Sequence, residues 1–200
     1  MAQTGLGIWK RVVMYKREPI WRNCNSFFKN SAPKSLQYWL TDRDSLTKRL
    51  VSACVQNNKQ FSVDVISESW QKPLRSEAKN LQINPENYCF VRQVHLYCGD
   101  TPWVYARTII PPATLHGELQ KLTNLGSQPL GAVLFANKHI KRLPIQISKI
   151  SPFQDIFTTA TSRSLYKKKQ EIWGRRSVFK ISNSPLLVSE IFLPELNHFR

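Results

Sequence analysis

Tyr88-Cys-Phe-Val-Arg-Gln-Val-His-Leu-Tyr97, Cys98-Gly-Asp-Thr-Pro102 and Trp103-Val-Tyr-Ala-Arg-Thr-Ile-Ile110 together decide the fold of this chain. Apolar and aromatic residues dominate both flanks, and Gly99-Asp100-Thr101-Pro102 between them is a tight turn signal. Residues 88–97 and 103–110 are therefore expected to form an antiparallel hairpin, stopped by Pro111-Pro112. On the first strand Tyr88, Phe90, Arg92, Val94 and Leu96 share a face, and Arg92 is its one charge. Arginine stays ionised almost anywhere, so burying it requires an anion or several carbonyls. On the second strand Trp103, Tyr105, Arg107 and Ile109 are in phase. The opposite face, Val104, Ala106, Thr108 and Ile110, is just as apolar, so the pattern leaves the direction of Arg107 open.

The C-terminal part carries the same oddity with opposite sign. Strands are expected at 172–181 and 185–193, with Asn183-Ser184 as the turn of a second hairpin. In Ser184-Pro-Leu-Leu-Val-Ser-Glu-Ile-Phe-Leu193 a strand places Leu186, Val188, Glu190 and Phe192 on one face. A carboxylate in phase with three large apolar side chains is costly to bury unless something pairs with it. Two arrangements satisfy both charges. Arg92 and Glu190 pair with each other, or they hold opposite ends of one ligand in an apolar pocket, Arg92 taking a carboxylate and Glu190 a hydroxyl. Trp173-Gly174-Arg175-Arg176-Ser177 reads as a surface basic cluster, with Gly174 marking a bulge or turn.

Around these hairpins the remaining elements fall into place. Residues 1–34 are basic and irregular and read as a weakly ordered extension, leaving 35–200 as a single domain. A helix starts near Ser35, and a second follows a cap at Asp42 or Asp44, with Leu46, Leu50, Ala53 and Cys54 at helical spacing and Asn57-Asn58 as its end. The period then changes to two at Phe61, Val63 and Val65, which predicts a strand. Residues 70–87 read as a loop with a helical turn, 113–136 as two helical pieces broken at Gly126 and Pro129, and 143–150 as a further strand. Six strands joined mostly by turns imply an α+β fold, an antiparallel sheet with helices packed on it.

Composition limits what such a domain does. With 200 residues, 42% hydrophobic and 21% charged, the chain can bury a sizeable core. No apolar run approaches the ~18 residues of a membrane span, and no secretory signal is legible, so a cytoplasmic protein is expected. Cys24, Cys54, Cys89 and Cys98 lack C-x-x-C spacing and read as four reduced thiols. The four histidines lack metal-binding spacing, so no metal is expected. The net charge of +16 is concentrated: residues 1–30 carry six bases against one acid, and 163–180 carry seven against one. Such charge suits an anionic partner or a steered anionic substrate. No nucleic-acid motif accompanies it, so nucleic acid is not an expected partner, and a monomer is expected.

Several motifs in order resemble the chorismate pyruvate-lyase family. They are Tyr38-Trp39-Leu40, Asp44-Ser-Leu-Thr-Lys-Arg49, Pro102-Trp103 with Arg107-Thr-Ile-Ile-Pro111, Leu125-Gly126, Pro129-Leu-Gly131 and Leu134-Phe135. Trp173-Gly-Arg-Arg-Ser177 and Pro185-Leu-Leu187 with Glu190-Ile-Phe-Leu-Pro194 complete the set, which spans most of 35–195. The resemblance implies a six-stranded antiparallel sheet enclosing a small-molecule pocket. It also implies a cofactor-independent lyase that eliminates pyruvate from chorismate to give 4-hydroxybenzoate, the first committed step of ubiquinone biosynthesis. Its carboxylate-binding arginine falls on Arg92, its acid facing the phenolic hydroxyl on Glu190, and two backbone contacts on Leu46 and Leu130. Arg107 or the Arg175-Arg176 pair is then a further candidate for the second carboxylate of chorismate. Residues 151–170 read as an insertion relative to the family. A similar antiparallel fold also serves as an effector-sensing domain in some transcription regulators, so a non-catalytic binder of aromatic acids is the alternative.

Overall fold

The computed structural model describes residues 17–24, 31–136, 139–165 and 170–198. Its strands are β1 (Arg22–Asn23), β2 (Phe61–Gln71), β3 (Cys89–Cys98), β4 (Thr101–Ile110), β5 (Ile140–Arg142), β6 (Gln146–Ile150), β7 (Ile172–Ile181) and β8 (Ser184–Phe192). The helices are α1 (Lys34–Thr41), α2 (Leu46–Gln56), α3 (Arg75–Leu81), α4 (Leu130–Ala136) and α5 (Asp155–Ala160), with three 3-10 segments at 112–114, 117–123 and 194–198. All strands pair antiparallel in one sheet of order β1-β6-β7-β8-β4-β3-β2, with β5 also on β7. The α+β class agrees with the sequence, but the sheet has eight strands instead of the expected six. The two extra strands, β1 and β5, are two and three residues long, too short to show periodicity.

Turn chemistry fixes the two long hairpins. Gly99 has a φ of 57° between β3 and β4, and Ser182 and Asn183 have φ values of 47° and 72° between β7 and β8. Two consecutive positive φ values are the signature of the primed turns that match strand twist. Strand β2 runs six residues further than its alternation suggested, past a register shift between Val65 and Ser67 that breaks the period-two pattern. The helical turn expected within 70–87 is the seven-residue helix α3. The N-cap of α2 is Ser45, not Asp42 or Asp44; its hydroxyl accepts from Lys48 N at 3.4 Å.

Each face of the sheet has its own cover. On one face Val94, Leu96, Val104, Phe192 and Trp173 pack under α1 and α2 through Leu36, Leu40, Leu46 and Leu50. These helical residues recur every four positions, so each helix lays one apolar stripe on the sheet. Burying one such leucine fully contributes roughly 1.5–3 kcal/mol. Replacing Leu50, which is fully buried, by Ala would cost about 2–5 kcal/mol. The same face continues under the 117–123 segment and α4. The reverse face is covered by α5 over Tyr105, Ile150 and Ile191, and by Leu81 of α3 over Val91, Ile109 and Leu187.

Three expectations meet the packed structure here. Residues 17–24 of the basic N-terminal stretch lie on the sheet: Arg22 pairs with Ile147, and the Glu18 carboxylate accepts from Arg75 N and Ser76 N, both at 2.9 Å. The rest of that stretch, 1–16 and 25–30, lies outside the described residues, as do Lys167-Lys168-Lys169. Within 151–170, α5 forms part of the reverse-face core. The cysteines are not four free thiols. Cys54 of α2 and Cys98 of β3 form a disulfide with Cα atoms 5.5 Å apart, and Cys24 and Cys89 are not part of it. Burial pushes the Cys89 thiol up to about 11.

Candidate active site between the sheet and two helix starts

Alternation along the strands turns Arg92, Val94 and Leu96 of β3, Ala106 and Thr108 of β4, and Val188 and Glu190 of β8 toward one cavity. Its roof is the first turn of α2, with Leu46 and Thr47, and the start of α4, with Pro129, Leu130 and Gly131. Register sets the spacing of the two charges: Arg92 pairs with Thr108, Glu190 with Ala106, and β4 lies between their strands. Two strand spacings across and two residues along put their Cα atoms about 12 Å apart. The cavity is small, about 50 Å³. The roof fits tightly: a Cβ on Gly131 would lie 2.6 Å from Thr47 Oγ1. A larger cleft of about 750 Å³ between α1 and α2, lined by Tyr38, Trp39 and Trp103, contains neither Arg92 nor Glu190.

Arg92 and Glu190 do not pair with each other. Arg92, 2% exposed, bonds through Nη1 to the Glu68 carboxylate across β2 and donates through Nη2 to Gln128 O at 3.0 Å. Glu190 accepts through Oε2 from Arg175 Nε at 2.5 Å. Arg175 Nη1 also donates to Trp39 O at 2.6 Å and Asp42 O at 2.7 Å, at the carbonyl end of α1. Arg142 stands beside it, donating to Ser177 Oγ at 3.1 Å and Arg43 O at 3.1 Å. Burial first, and then the neighbouring Arg175 charge, pull the Arg142 guanidinium down to about 10. Two cations thus surround one carboxylate at this end of the cavity.

The backbone candidates have a physical basis. Leu46 and Leu130 each open a helix, where first-turn amides lack intrahelical partners, and both line the cavity. The first turns of both helices therefore lie in the roof, while side chains supply the polar ends.

Arg107 is on the other side of the sheet. It faces α3, where its Nε and Nη2 donate to Glu77 at 2.8 and 3.2 Å. Burial alone would lower its pKa; the Glu77 charge and hydrogen bonds outweigh this and raise it. Arg176 is also on that face, donating to Gln146 Oε1 at 2.8 Å and lying 4.8 Å over the Trp21 ring. The expected surface cluster at 175–176 is buried on both faces, with Arg175 1% and Arg176 5% exposed. Gly174 is neither bulge nor turn but mid-strand, in register with Ile191, where a Cβ would meet Glu190 O at 3.1 Å, Ile150 at 3.2 Å and Trp21 at 3.3 Å.

Glu68, Gln128, Arg142 and the bond from Arg175 to Glu190 were not legible in the sequence. Glu68 follows the β2 register shift, and the others are contacts between distant segments. Among the described residues no group of three His, Cys, Asp or Glu could hold a metal, and no helix is long and apolar enough to cross a membrane.

The architecture is an α+β domain with one antiparallel sheet and a cavity roofed by two helix starts. Comparison with known proteins narrows this to a family. The sequence pattern described as chorismate lyase matches residues 16–198. A probable chorismate pyruvate-lyase of Nitrosomonas europaea is 35% identical over 83% of this chain and 90% of its own length. One from Marinobacter nauticus is 37% identical over 80% of this chain and 77% of its own. The chain belongs to the chorismate lyase family. Among solved structures, PhnF from Mycobacterium smegmatis shares the fold at 10% identity and a TM-score of 0.52, covering 72% of this chain and 63% of its own. The ligand-binding domain of a putative GntR-family regulator from Bordetella bronchiseptica does so at 9% and 0.51, covering 68% and 86%.

Proposed function

We propose that this protein eliminates pyruvate from chorismate to give 4-hydroxybenzoate, without a cofactor, at the entry to ubiquinone biosynthesis. The observation that carries the reading is the placement of Arg92 and Glu190 at opposite ends of one apolar-floored cavity. Chorismate is a dianion with a ring carboxylate, a ring hydroxyl and an enolpyruvyl carboxylate. In the elimination the bond from the ring to the enolpyruvyl oxygen breaks. The hydrogen on the hydroxyl-bearing carbon leaves as a proton, and its electron pair completes the aromatic ring. Enolpyruvate takes up a proton to become pyruvate. Aromatisation makes the step downhill, so the protein has to hold the reactive conformer and exclude water.

Arg92 anchors the ring carboxylate, with roof amides at Leu46 and Leu130 as further donors. Glu190 accepts from the ring hydroxyl and is placed to assist proton removal. Arg142 and Arg175 give the Glu190 end a surplus of positive charge, which suits the enolpyruvyl carboxylate better than Arg107 or Arg176 behind the sheet. An aromatic acid under a closed roof leaves slowly, so product release limits turnover. The test is direct: purified protein is mixed with chorismate, and 4-hydroxybenzoate and pyruvate are measured. Product formation no faster than the uncatalysed background sinks the lyase reading. The fold shared with regulator ligand-binding domains supports a second reading, a non-catalytic binder of aromatic acids, which the same assay separates by binding without turnover.

A further inference from the structure

Arg175 adds a polar link between the sheet and the turn after α1, beside the apolar packing of the two. It extends from β7, whose register places it beside Glu190 on β8. One edge of its guanidinium engages Glu190 Oε2 through Nε, and Nη1 reaches the carbonyls of Trp39 and Asp42. Those carbonyls lie at the C-terminal end of α1, where the last helical carbonyls lack intrahelical donors. The side chain is 1% exposed and its guanidinium lies 5.8 Å from the Phe192 ring, so it has little freedom to move alone. The segment it grips leads through Asp42 and Asp44 directly into the first turn of α2, half of the cavity roof.

We propose that Arg175 is a positioning residue that couples Glu190 to the α1–α2 cover. Glu190 orients the guanidinium, and the guanidinium fastens the turn between α1 and α2. Whatever engages the Glu190 carboxylate from the cavity alters how firmly that half of the roof is held. The consequence for catalysis rests on the lyase reading; the link itself does not. A planar guanidinium can serve both sides at once, whereas a lysine ammonium is a compact point charge that cannot span them.

The experiment is amide hydrogen exchange on the intact chain, comparing wild type, Glu190→Gln, Arg175→Lys and the double variant. Glu190 is on the sheet, and two cations connect it to this turn: Arg175, and Arg142, which donates to Asp42 O and Arg43 O. The double variant with Arg175→Lys tells which of them carries any loosening of 39–46 by Glu190→Gln. The expected result is faster exchange at 39–46 in each single variant, on the order of tenfold. The double variant matches Arg175→Lys alone, as groups acting in series require. Exchange in α3, on the reverse face, stays at the wild-type rate. Wild-type exchange at 39–46 in Glu190→Gln overturns the proposal, as does an additive double variant or equal loosening of α3. Chorismate turnover is measured separately. Its absence in the wild type removes the lyase reading and leaves the exchange comparison to decide the link.

Discussion

Arg92 and Glu190 face one cavity from strands separated by β4, and each is held by a different ion pair, Arg92 by Glu68 and Glu190 by Arg175. A direct salt bridge between them would have left the cavity without polar ends. Because each charge is neutralised at its outer side, both remain directed inward at no cost of an unpaired buried ion. Replacing Arg92 by Ala is expected to weaken 4-hydroxybenzoate binding about 100-fold, the scale of a lost charge-assisted pair. Calorimetric titration measures it, and unchanged affinity would remove Arg92 from the pocket.

Glu190→Gln separates holding a hydroxyl from moving a proton. The amide keeps the size and an acceptor oxygen but cannot take up the ring proton. A fall in kcat of about 100-fold or more, with a smaller change in KM, is expected if Glu190 assists the transfer. Retained turnover in a steady-state assay assigns it to positioning alone.

Gly131 and Thr47 limit how closely the roof can shut. A Cβ 2.6 Å from Thr47 Oγ1 has to displace that hydroxyl or separate the starts of α4 and α2. Gly131→Ala is therefore expected to cost about 1–3 kcal/mol of ligand binding, read as a faster off-rate. Adding Thr47→Ala removes the clash and should restore most of it. Stopped-flow displacement of bound 4-hydroxybenzoate gives the rate for each variant.

On the reverse face, Arg107 and Glu77 form a buried pair that also fastens α3, since Glu77 Oε2 accepts from Leu74 N at 2.8 Å. Breaking it by Arg107→Ala leaves an uncompensated buried carboxylate and should lower unfolding stability by about 3–5 kcal/mol. Urea denaturation measures the loss. In the fraction that remains folded, 4-hydroxybenzoate affinity should stay within about threefold of wild type, because Arg107 does not line the cavity.

His95 is fully buried, with Nε2 on Ala160 O at 2.8 Å and Nδ1 without a hydrogen-bond partner. Burial holds its pKa below the ordinary value; the Ala160 contact and the charges of Asp64 and Glu195 only partly offset it, and Arg163 adds to the lowering. The unfolded chain therefore binds a proton before the folded one does. Stability contributed by neutral His95 is present above about pH 6.5 and is lost as pH falls from there toward the folded pKa. Melting temperatures from pH 7.5 to 5 should fall more in the wild type than in His95→Gln, which cannot take up that proton.

Local pattern by itself determined the long hairpins and which residues share a face, because side chains alternate strictly along a strand and turn residues have few alternatives. That was enough to single out Arg92 and Glu190 as charges on apolar faces and to expect an antiparallel α+β domain. Only the tertiary structure decided what each charge meets. Glu68 is 24 residues from Arg92, and Trp39 O is 136 from Arg175, separations that no periodicity spans. It also decided the side taken by Arg107, since both faces of β4 are apolar and only packing against α3 or α2 distinguishes them. Strands β1 and β5 are defined by their pairing with β6 and β7, since two and three residues are too few to show a period of their own. A strand's pattern records which way a side chain points; the identity of what lies there belongs to the fold.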